Sequence, residues 1–109
     1  MKTGIELIAE ERQRQIEVEG WTAEHDDQHT DGELAAAAAV YADMANYHGD
    51  LPLMEDNSKT AKVLIPRAFK WPFDSQWLKL TPDNRVRELV KAGALIAAEI
   101  DRLQRKNAS

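Results

Sequence analysis

The chain of 109 residues contains no cysteine. This absence excludes a disulfide framework and a metal site built on thiolates. The sequence also lacks an apolar run of about 18 residues and a leader of the secretory type, so we expect a cytoplasmic protein that does not cross a membrane. The length predicts one domain spanning residues 1–109.

Basic side chains are scarce in the first half of the chain. Residues 1–57 carry three basic and fourteen acidic side chains, whereas residues 58–79 carry five basic and one acidic. The acidic half argues against broad binding to nucleic acid. The opposite charges either converge on a site for a metal and a phosphate or are interspersed over a solvated surface.

Helical periodicity predicts an all-α bundle with three main helices at residues 3–19, 31–48 and 82–106 and a long irregular segment at 49–81. The first helix begins at a capping box formed by Thr3 and Glu6. Apolar stripes follow along the first and last helices. They comprise Ile5, Ile8, Ala9, Arg12 and Ile16 in the first helix, and Val86, Leu89, Val90, Gly93, Ile96, Ala97, Ile100 and Leu103 in the last.

The middle helix contains the alanine run Ala35 to Ala39 and is apolar on nearly every side. Such a helix is typical of the centre of a bundle, because small side chains let helix axes approach to ~8 Å. Alanine also supplies little volume to a core. We therefore expect a homodimer, in which a second copy completes the fold.

A polar stretch joins the first two helices. If its residues are helical, His25 and His29 share one face, a spacing that lets two imidazoles meet one divalent ion. The candidate metal ligands are His25, Asp26, Asp27 and His29. A third strong ligand must come from elsewhere, and the alternative is that these side chains cap helices and stabilise turns. Glu33 also has a structural alternative to a catalytic role, because it can form a second capping box with Thr30.

Aromatic and basic side chains alternate in residues 67–77. Rings of this kind can stack on a nucleotide base, and cations can bind its phosphates. The candidate substrate-binding residues here are Arg67, Lys70 and Trp71, together with Trp21 at the turn after the first helix. The alternative is that the rings fold over the alanine-rich helix and supply the volume that it lacks.

Both ends of the chain resemble the all-α nucleoside triphosphate pyrophosphohydrolases of the MazG-like superfamily, and small phage-type relatives near it. The stretches concerned are Glu10-Glu-Arg12, Gly20-Trp21, Trp21-Thr-Ala-Glu-His-Asp-Asp-Gln-His29 and Glu88-Leu-Val-Lys-Ala-Gly-Ala-Leu-Ile-Ala-Ala-Glu99. The superfamily holds magnesium with Glu-Glu-x-x-Glu on one helix and Glu-x-x-Asp on the next. In this chain Glu10 and Glu11 begin the first motif but Arg14 replaces its third acid, and Lys91 stands three residues after Glu88, where the aspartate belongs.

The resemblance implies a metal-dependent hydrolase that cleaves a nucleotide between its α and β phosphates. It implies Mg²⁺ as the ion, with Mn²⁺ or Zn²⁺ as alternatives. Glu11, Glu33 and Glu88 are then the candidate catalytic residues, and Lys91 joins Arg67 and Lys70 in neutralising charge on the phosphates. The alternative is a non-catalytic helical interaction protein, in which the same polar residues serve as caps and turns.

Overall fold

The computed structural model describes residues 1–47, 51–56 and 63–108. Four helices carry most of the chain, which confirms a mainly helical fold. The helices are α1 (Gly4–Glu17), α2 (Ala23–Asp26), α3 (Glu33–Met44) and α4 (Arg85–Ala108). Two short strands, β1 (Leu53–Asp56) and β2 (Val63–Pro66), and a 3-10 turn (Ser75–Trp77) lie between α3 and α4.

Local hydrogen bonds set the helix starts. The Thr3 hydroxyl accepts from the amide of Glu6 at 3.2 Å, and the Glu6 carboxylate accepts from the amide of Thr3 at 2.9 Å, so the first capping box is confirmed. The second capping box is wrong, because α3 begins behind Gly32, at φ 80°, with no side-chain cap. A positive φ is accessible to glycine without strain.

The third helix also ends earlier than its periodicity predicted. It stops at Met44, and His48, where the predicted helix ends, lies outside the described residues.

The segment predicted to be irregular contains a β-hairpin. Strands β1 and β2 pair antiparallel, with Leu53 opposite Pro66 and Asp56 opposite Val63. Each strand has four residues, which is too short for an alternating pattern to stand out in the sequence. The all-α expectation is therefore corrected to a helical fold with a small sheet. Residues 49, 50 and 57–62 of the predicted segment lie outside the described part of the chain.

The core lies between α3 and α4. Its members are Leu34, Ala37, Ala38 and Tyr41 from α3, and Ala92, Leu95 and Ala98 from α4. Alanine on both helices allows their backbones to approach closely, as predicted for α3. However, α4 is the element that contacts each of the other three helices.

The predicted apolar stripes of α1 and α4 do not face this core. The buried residues of α1 are Glu11 and Gln15. On α4 the stripe buries Val90 but leaves its other bulky members exposed, namely Val86, Leu89, Ile96, Ile100 and Leu103. The two helices meet where Ile8 packs on Gly93, since a Cβ at Gly93 would lie 2.5 Å from Ile8 Cδ1. Hydrophobic periodicity thus located both helices but not the faces that they bury.

Across the described ranges of the chain, no helix combines the length and the hydrophobicity of a membrane span.

Candidate functional site

A cleft of about 1360 Å³ opens beside α3, the turn after α1 and the segment that follows β2. Its walls are rich in aromatic rings. Six of the seven Phe, Trp and Tyr side chains of the chain line it, namely Trp21, Tyr41, Phe69, Trp71, Phe73 and Trp77. His25 and His29 line it as well. Such a concave and mostly apolar surface with a few polar groups is typical of a small-molecule site.

Most of these rings touch one another in a continuous row. The Trp21 and His25 rings are stacked with centroids 5.8 Å apart, and His25 meets His29 edge to face at 4.9 Å. His29 meets Phe73 at 5.1 Å, and Phe73 meets Trp71 at 5.6 Å. The Tyr41 ring closes the row against Trp71, also at 5.6 Å. Edge-to-face contacts at these distances hold each ring in place, so the wall is preorganised.

His25 is oriented by a buried ion pair. Thr22 is the N-cap of the short helix α2, and its hydroxyl accepts from the His25 amide at 3.4 Å. The His25 Nδ1 atom lies 3.2 Å from Asp26 Oδ1, and Asp26 is fully buried. The other carboxylate oxygen of Asp26 accepts from Arg12 Nη2 at 2.9 Å. Asp26 thus fixes an imidazole on the cleft wall rather than facing the cleft itself.

His29 and Glu33 form the polar part of the same wall. The His29 Nδ1 atom lies 3.2 Å from Glu33 Oε2, and Glu33 Oε1 accepts from the Asp31 amide at 2.6 Å. Burial raises the pKa of Glu33, but hydrogen bonds from the backbone amides of Asp31 and Glu33 and from the His29 ring together outweigh that effect, so the pKa lies below its ordinary value. Glu33 is therefore ionised at neutral pH and presents negative charge to the cleft.

Two cations stand on the part of the rim that follows β2. Arg67 and Lys70 both line the cleft and are exposed. The Arg67 Nε atom donates to the Leu53 carbonyl at 3.1 Å, which ties this rim to the hairpin. Trp71, next along the chain, is held by a bond from its Nε1 atom to the Asp74 carbonyl at 3.0 Å. Fixed rings and exposed cations are therefore adjacent on one rim.

Glu11 lies in a separate cluster, buried where α1 meets α4. Its carboxylate accepts from Arg14 Nε at 2.8 Å and pairs with Arg87 Nη1 at 2.7 Å. Burial raises the pKa of Glu11, but the two guanidinium groups outweigh it, so the pKa is lowered. Gln15, one turn further along α1, donates to Glu11 at 3.3 Å. The charge of Glu11 is therefore compensated by the two arginines, and its role in this arrangement is structural.

Glu88 and Lys91 occupy the neighbouring turn of α4. Glu88 accepts from the Thr81 amide at 2.7 Å, and its second oxygen is buried without a partner among the described residues. Lys91 donates to the Lys79 carbonyl and lies 5.3 Å above the Tyr41 ring. Burial raises the pKa of Glu88 and lowers that of Lys91, although each charge favours the ionised form of the other. Burial also raises the pKa of Tyr41 to about 12.

The candidates from the sequence therefore separate into two groups. The cleft receives Trp21, His25, His29, Glu33, Arg67, Lys70 and Trp71. The others lie elsewhere, namely Glu11, Asp26, Asp27, Glu88 and Lys91. Among these, Asp27 accepts from Arg105 Nη2 at 2.7 Å on the side of α2 that faces α4. The cleft therefore unites the predicted rings, both histidines, Arg67 and Lys70 with one of the predicted acids, Glu33, and leaves the other four acids and Lys91 outside.

The acids do not fit a divalent ion as they lie. Guanidinium groups already bind three of them, in the pairs Asp26 with Arg12, Asp27 with Arg105, and Glu11 with both Arg14 and Arg87. Within residues 1–47, 51–56 and 63–108, no three His, Asp or Glu side chains are grouped as metal ligands. Arg14 replaces the third acid of the first magnesium motif and bonds to Glu11. A bound divalent ion stays a prediction.

Sequence reasoning did not assign Tyr41, Phe69, Phe73 and Trp77 to the site. The signal that could have found them is the concentration of the few aromatic residues in one short segment, with Tyr41 on the alanine-rich helix that it covers. The sequence allowed the rings of residues 67–77 either to stack on a nucleotide base or to cover the alanine-rich helix. The structure is compatible with both interpretations, since Trp71 and Phe73 pack against the core and also line the cleft.

No family model, curated protein or solved structure matches this chain. The resemblance to the MazG-like superfamily therefore stays a prediction.

Proposed function

We propose that the protein binds a nucleotide in the aromatic cleft. The observation that carries the proposal is the convergence of six of its seven Phe, Trp and Tyr rings on one cavity whose rim also holds Arg67 and Lys70. Aromatic faces stack on any base, and cations bind its phosphates. The volume of about 1360 Å³ is large enough for a nucleoside with its phosphates.

The parts of the cleft have separate tasks in this proposal. The exposed Trp77 and Phe69 rings are the ones that a base can reach without displacing the core. Lys70 and Arg67 bind the phosphates, since they are exposed cations on the same rim. The ionised Glu33 carboxylate accepts hydrogen bonds from an amino or hydroxyl group of the ligand.

The proposal predicts that Trp77→Ala weakens the binding of ATP. Stacking on an aromatic ring is worth ~1–3 kcal/mol per base, so we expect about a 10-fold rise in Kd. Isothermal titration calorimetry measures it directly, and tryptophan fluorescence offers a second signal because all three Trp side chains line the cleft. Trp77 is 53% exposed, so its removal leaves the fold intact.

Tyr47→Ala is the matched control, because Tyr47 is the aromatic residue that does not line the cleft. We expect it to bind ATP like the unmodified protein. Adenosine should bind more weakly than ATP if Lys70 and Arg67 bind the phosphates. The proposal is overturned if ATP shows no binding at millimolar concentration, or if Tyr47→Ala and Trp77→Ala lower affinity equally.

Hydrolysis between the α and β phosphates is the further step that the resemblance implies. The same protein, incubated with a panel of nucleoside triphosphates in Mg²⁺ or Mn²⁺ and separately in EDTA, is assayed for pyrophosphate. Metal-dependent release supports a hydrolase, whereas binding without turnover supports a nucleotide-binding module. The pairing of the candidate acids with arginines favours the second result. Homodimerisation, which the alanine-rich middle helix led us to expect, stays a prediction.

A further inference from the structure

Carboxylates fix the tautomer of both histidines on the cleft wall. The Nδ1 atom of His25 lies 3.2 Å from Asp26, which is paired with Arg12. The Nδ1 atom of His29 lies 3.2 Å from Glu33, whose pKa is lowered. An ionised carboxylate can only accept a hydrogen bond, so each Nδ1 carries the proton and each Nε2 carries the lone pair. Neither Nε2 atom has a hydrogen-bond partner among the described residues.

The other side chains that line the cleft are poor nucleophiles as they lie. The Tyr41 hydroxyl accepts from the Lys79 amide, and burial raises the pKa of Tyr41 to about 12, so the hydroxyl keeps its proton near neutral pH. The Ser75 hydroxyl is buried and bonds to no described group that could act as its base. Arg67 and Lys70 are cations without a free lone pair. The carboxylates of the lining are anions, which a phosphate repels. The imidazoles remain as the nucleophiles of the cleft.

The charges behind the two imidazoles differ. Glu33, behind His29, is ionised, and its side chain is 24% exposed, so its negative charge faces an anion that approaches this ring. Asp26, behind His25, is fully buried and paired with Arg12 Nη2 at 2.9 Å. The guanidinium group compensates the charge of Asp26. A phosphate therefore meets less repulsion at His25 than at His29.

The reactive edge of His25 is also the more accessible one. The Trp21 ring stacks on the face of the imidazole, with the two planes 1° apart. The Nε2 lone pair lies in the plane of the imidazole, so a stacked ring does not cover it. The His25 side chain is 38% exposed and that of His29 is 22% exposed, because His29 lies between His25 and Phe73. Charge and access both favour His25.

We propose that His25 accepts the terminal phosphoryl group of a nucleoside triphosphate bound in the cleft, an inference that rests on the proposed nucleotide binding. The Nε2 lone pair attacks the γ phosphorus and forms a nitrogen–phosphorus bond. The bond from that phosphorus to the β–γ bridging oxygen breaks, and its electron pair leaves on the nucleoside diphosphate. Asp26 keeps its bond to Nδ1–H and stabilises the positive charge that develops on the ring. Arg67 and Lys70 on the rim neutralise charge on the phosphates.

The test is covalent labelling of the full chain with ATP radiolabelled at its γ phosphate. The reaction contains Mg²⁺ and is held at about pH 8, because an imidazole with the ordinary pKa of ~6.5 is neutral there. We expect a label that survives denaturation and alkali and is lost in acid, which is the behaviour of a phosphoryl group on an imidazole nitrogen. Phosphorus NMR should place the group on Nε2. ATP radiolabelled at its α phosphate should leave no label, since that phosphate departs with the diphosphate.

His25→Asn is the decisive variant. The asparagine amide can donate to Asp26 in place of Nδ1–H, but it has no atom in the position of Nε2. We therefore expect the label to be abolished while ATP still binds by calorimetry and the helix content is unchanged by circular dichroism. His48→Ala is the matched control and should keep the full label, because His48 is the third histidine of the chain and has no part in the proposed step.

The outcomes separate this inference from nucleotide binding itself. ATP that binds without leaving an acid-labile label overturns the role of His25 and leaves the nucleotide site intact. A label that is stable in acid, or one that persists in His25→Asn, does the same. A chain that fails to bind ATP overturns both proposals.

Discussion

Arg12→Ala should lower the free energy of unfolding by about 3 to 5 kcal/mol. The reason is that Asp26 is fully buried and depends on Arg12 Nη2, at 2.9 Å, for its compensating charge. Arg12 also donates to the Trp21 carbonyl at 3.4 Å, so one guanidinium ties α1 to the turn and to α2. Removing it leaves an uncompensated carboxylate in the interior. Urea unfolding followed by circular dichroism measures the loss.

Two variants control this prediction. Lys2→Ala breaks an ion pair with Glu10 whose side chains are 59% and 53% exposed, and we expect little change because solvent screens exposed pairs. Replacing Arg12 and Asp26 together by Met and Leu removes both charges, and should recover most of the stability that Arg12→Ala loses. If Arg12→Ala and Lys2→Ala lower the free energy of unfolding equally, the buried pair of Arg12 and Asp26 contributes no more to stability than an exposed pair.

The same pair affects the cleft, because Asp26 also contacts His25 Nδ1 at 3.2 Å. A change at Arg12 therefore loosens the imidazole that stacks on Trp21 and meets His29. This coupling gives Asp26, which was predicted as a metal ligand, an indirect role at the cleft, because it orients His25. Asp26 and Asp27 lie next to the cleft residue His25 in the sequence, but the arginines that pair with them, Arg12 and Arg105, come from other helices.

Local signals in the sequence predicted the parts of the fold that depend on neighbouring residues. The capping box of Thr3 and Glu6 is one example, since both partners lie within one turn. The chemistry of residues 67–77 is another, because aromatic and basic side chains so close in sequence stay close in space. Short-range hydrogen bonds and proximity suffice in both cases.

The buried face of α1 could not be predicted in this way. Its isoleucines mark an apolar stripe, yet Glu11 and Gln15 are the buried residues. Their burial is possible because Arg87, from α4, pairs with Glu11 at 2.7 Å. Such a partner is distant in sequence and carries no local signal.

Lys91→Met should also lower the free energy of unfolding, by about 3 to 5 kcal/mol near pH 7. Glu88 is buried, and one of its oxygens has no partner among the described residues. The charge of Lys91 favours ionised Glu88 more than the charge of Arg87 does. Methionine keeps the length of the side chain and removes its charge, so the expected loss reports on Glu88 rather than on packing.

The pH dependence of the free energy of unfolding tests whether the charge of Glu88 causes the loss in Lys91→Met. Burial raises the pKa of Glu88 above its unfolded value, so its carboxyl group favours the folded state in its neutral form, and this advantage is lost as the pH rises through the raised pKa. Without Lys91 the pKa rises further. The stability difference between Lys91→Met and the unmodified protein should therefore be smallest near pH 4, where Glu88 is protonated in both states, and should grow towards pH 7.

A double-mutant cycle completes the argument. Adding Glu88→Gln to Lys91→Met removes the unpaired charge while the glutamine oxygen can still accept from the Thr81 amide, so stability near pH 7 should be largely recovered. Lys106→Met, at an exposed lysine of the same helix, should show no such recovery when combined with Glu88→Gln. A loss in Lys91→Met that is equal at pH 4 and pH 7 would assign the role of Lys91 to its contacts with the Lys79 carbonyl and the Tyr41 ring, and not to its charge.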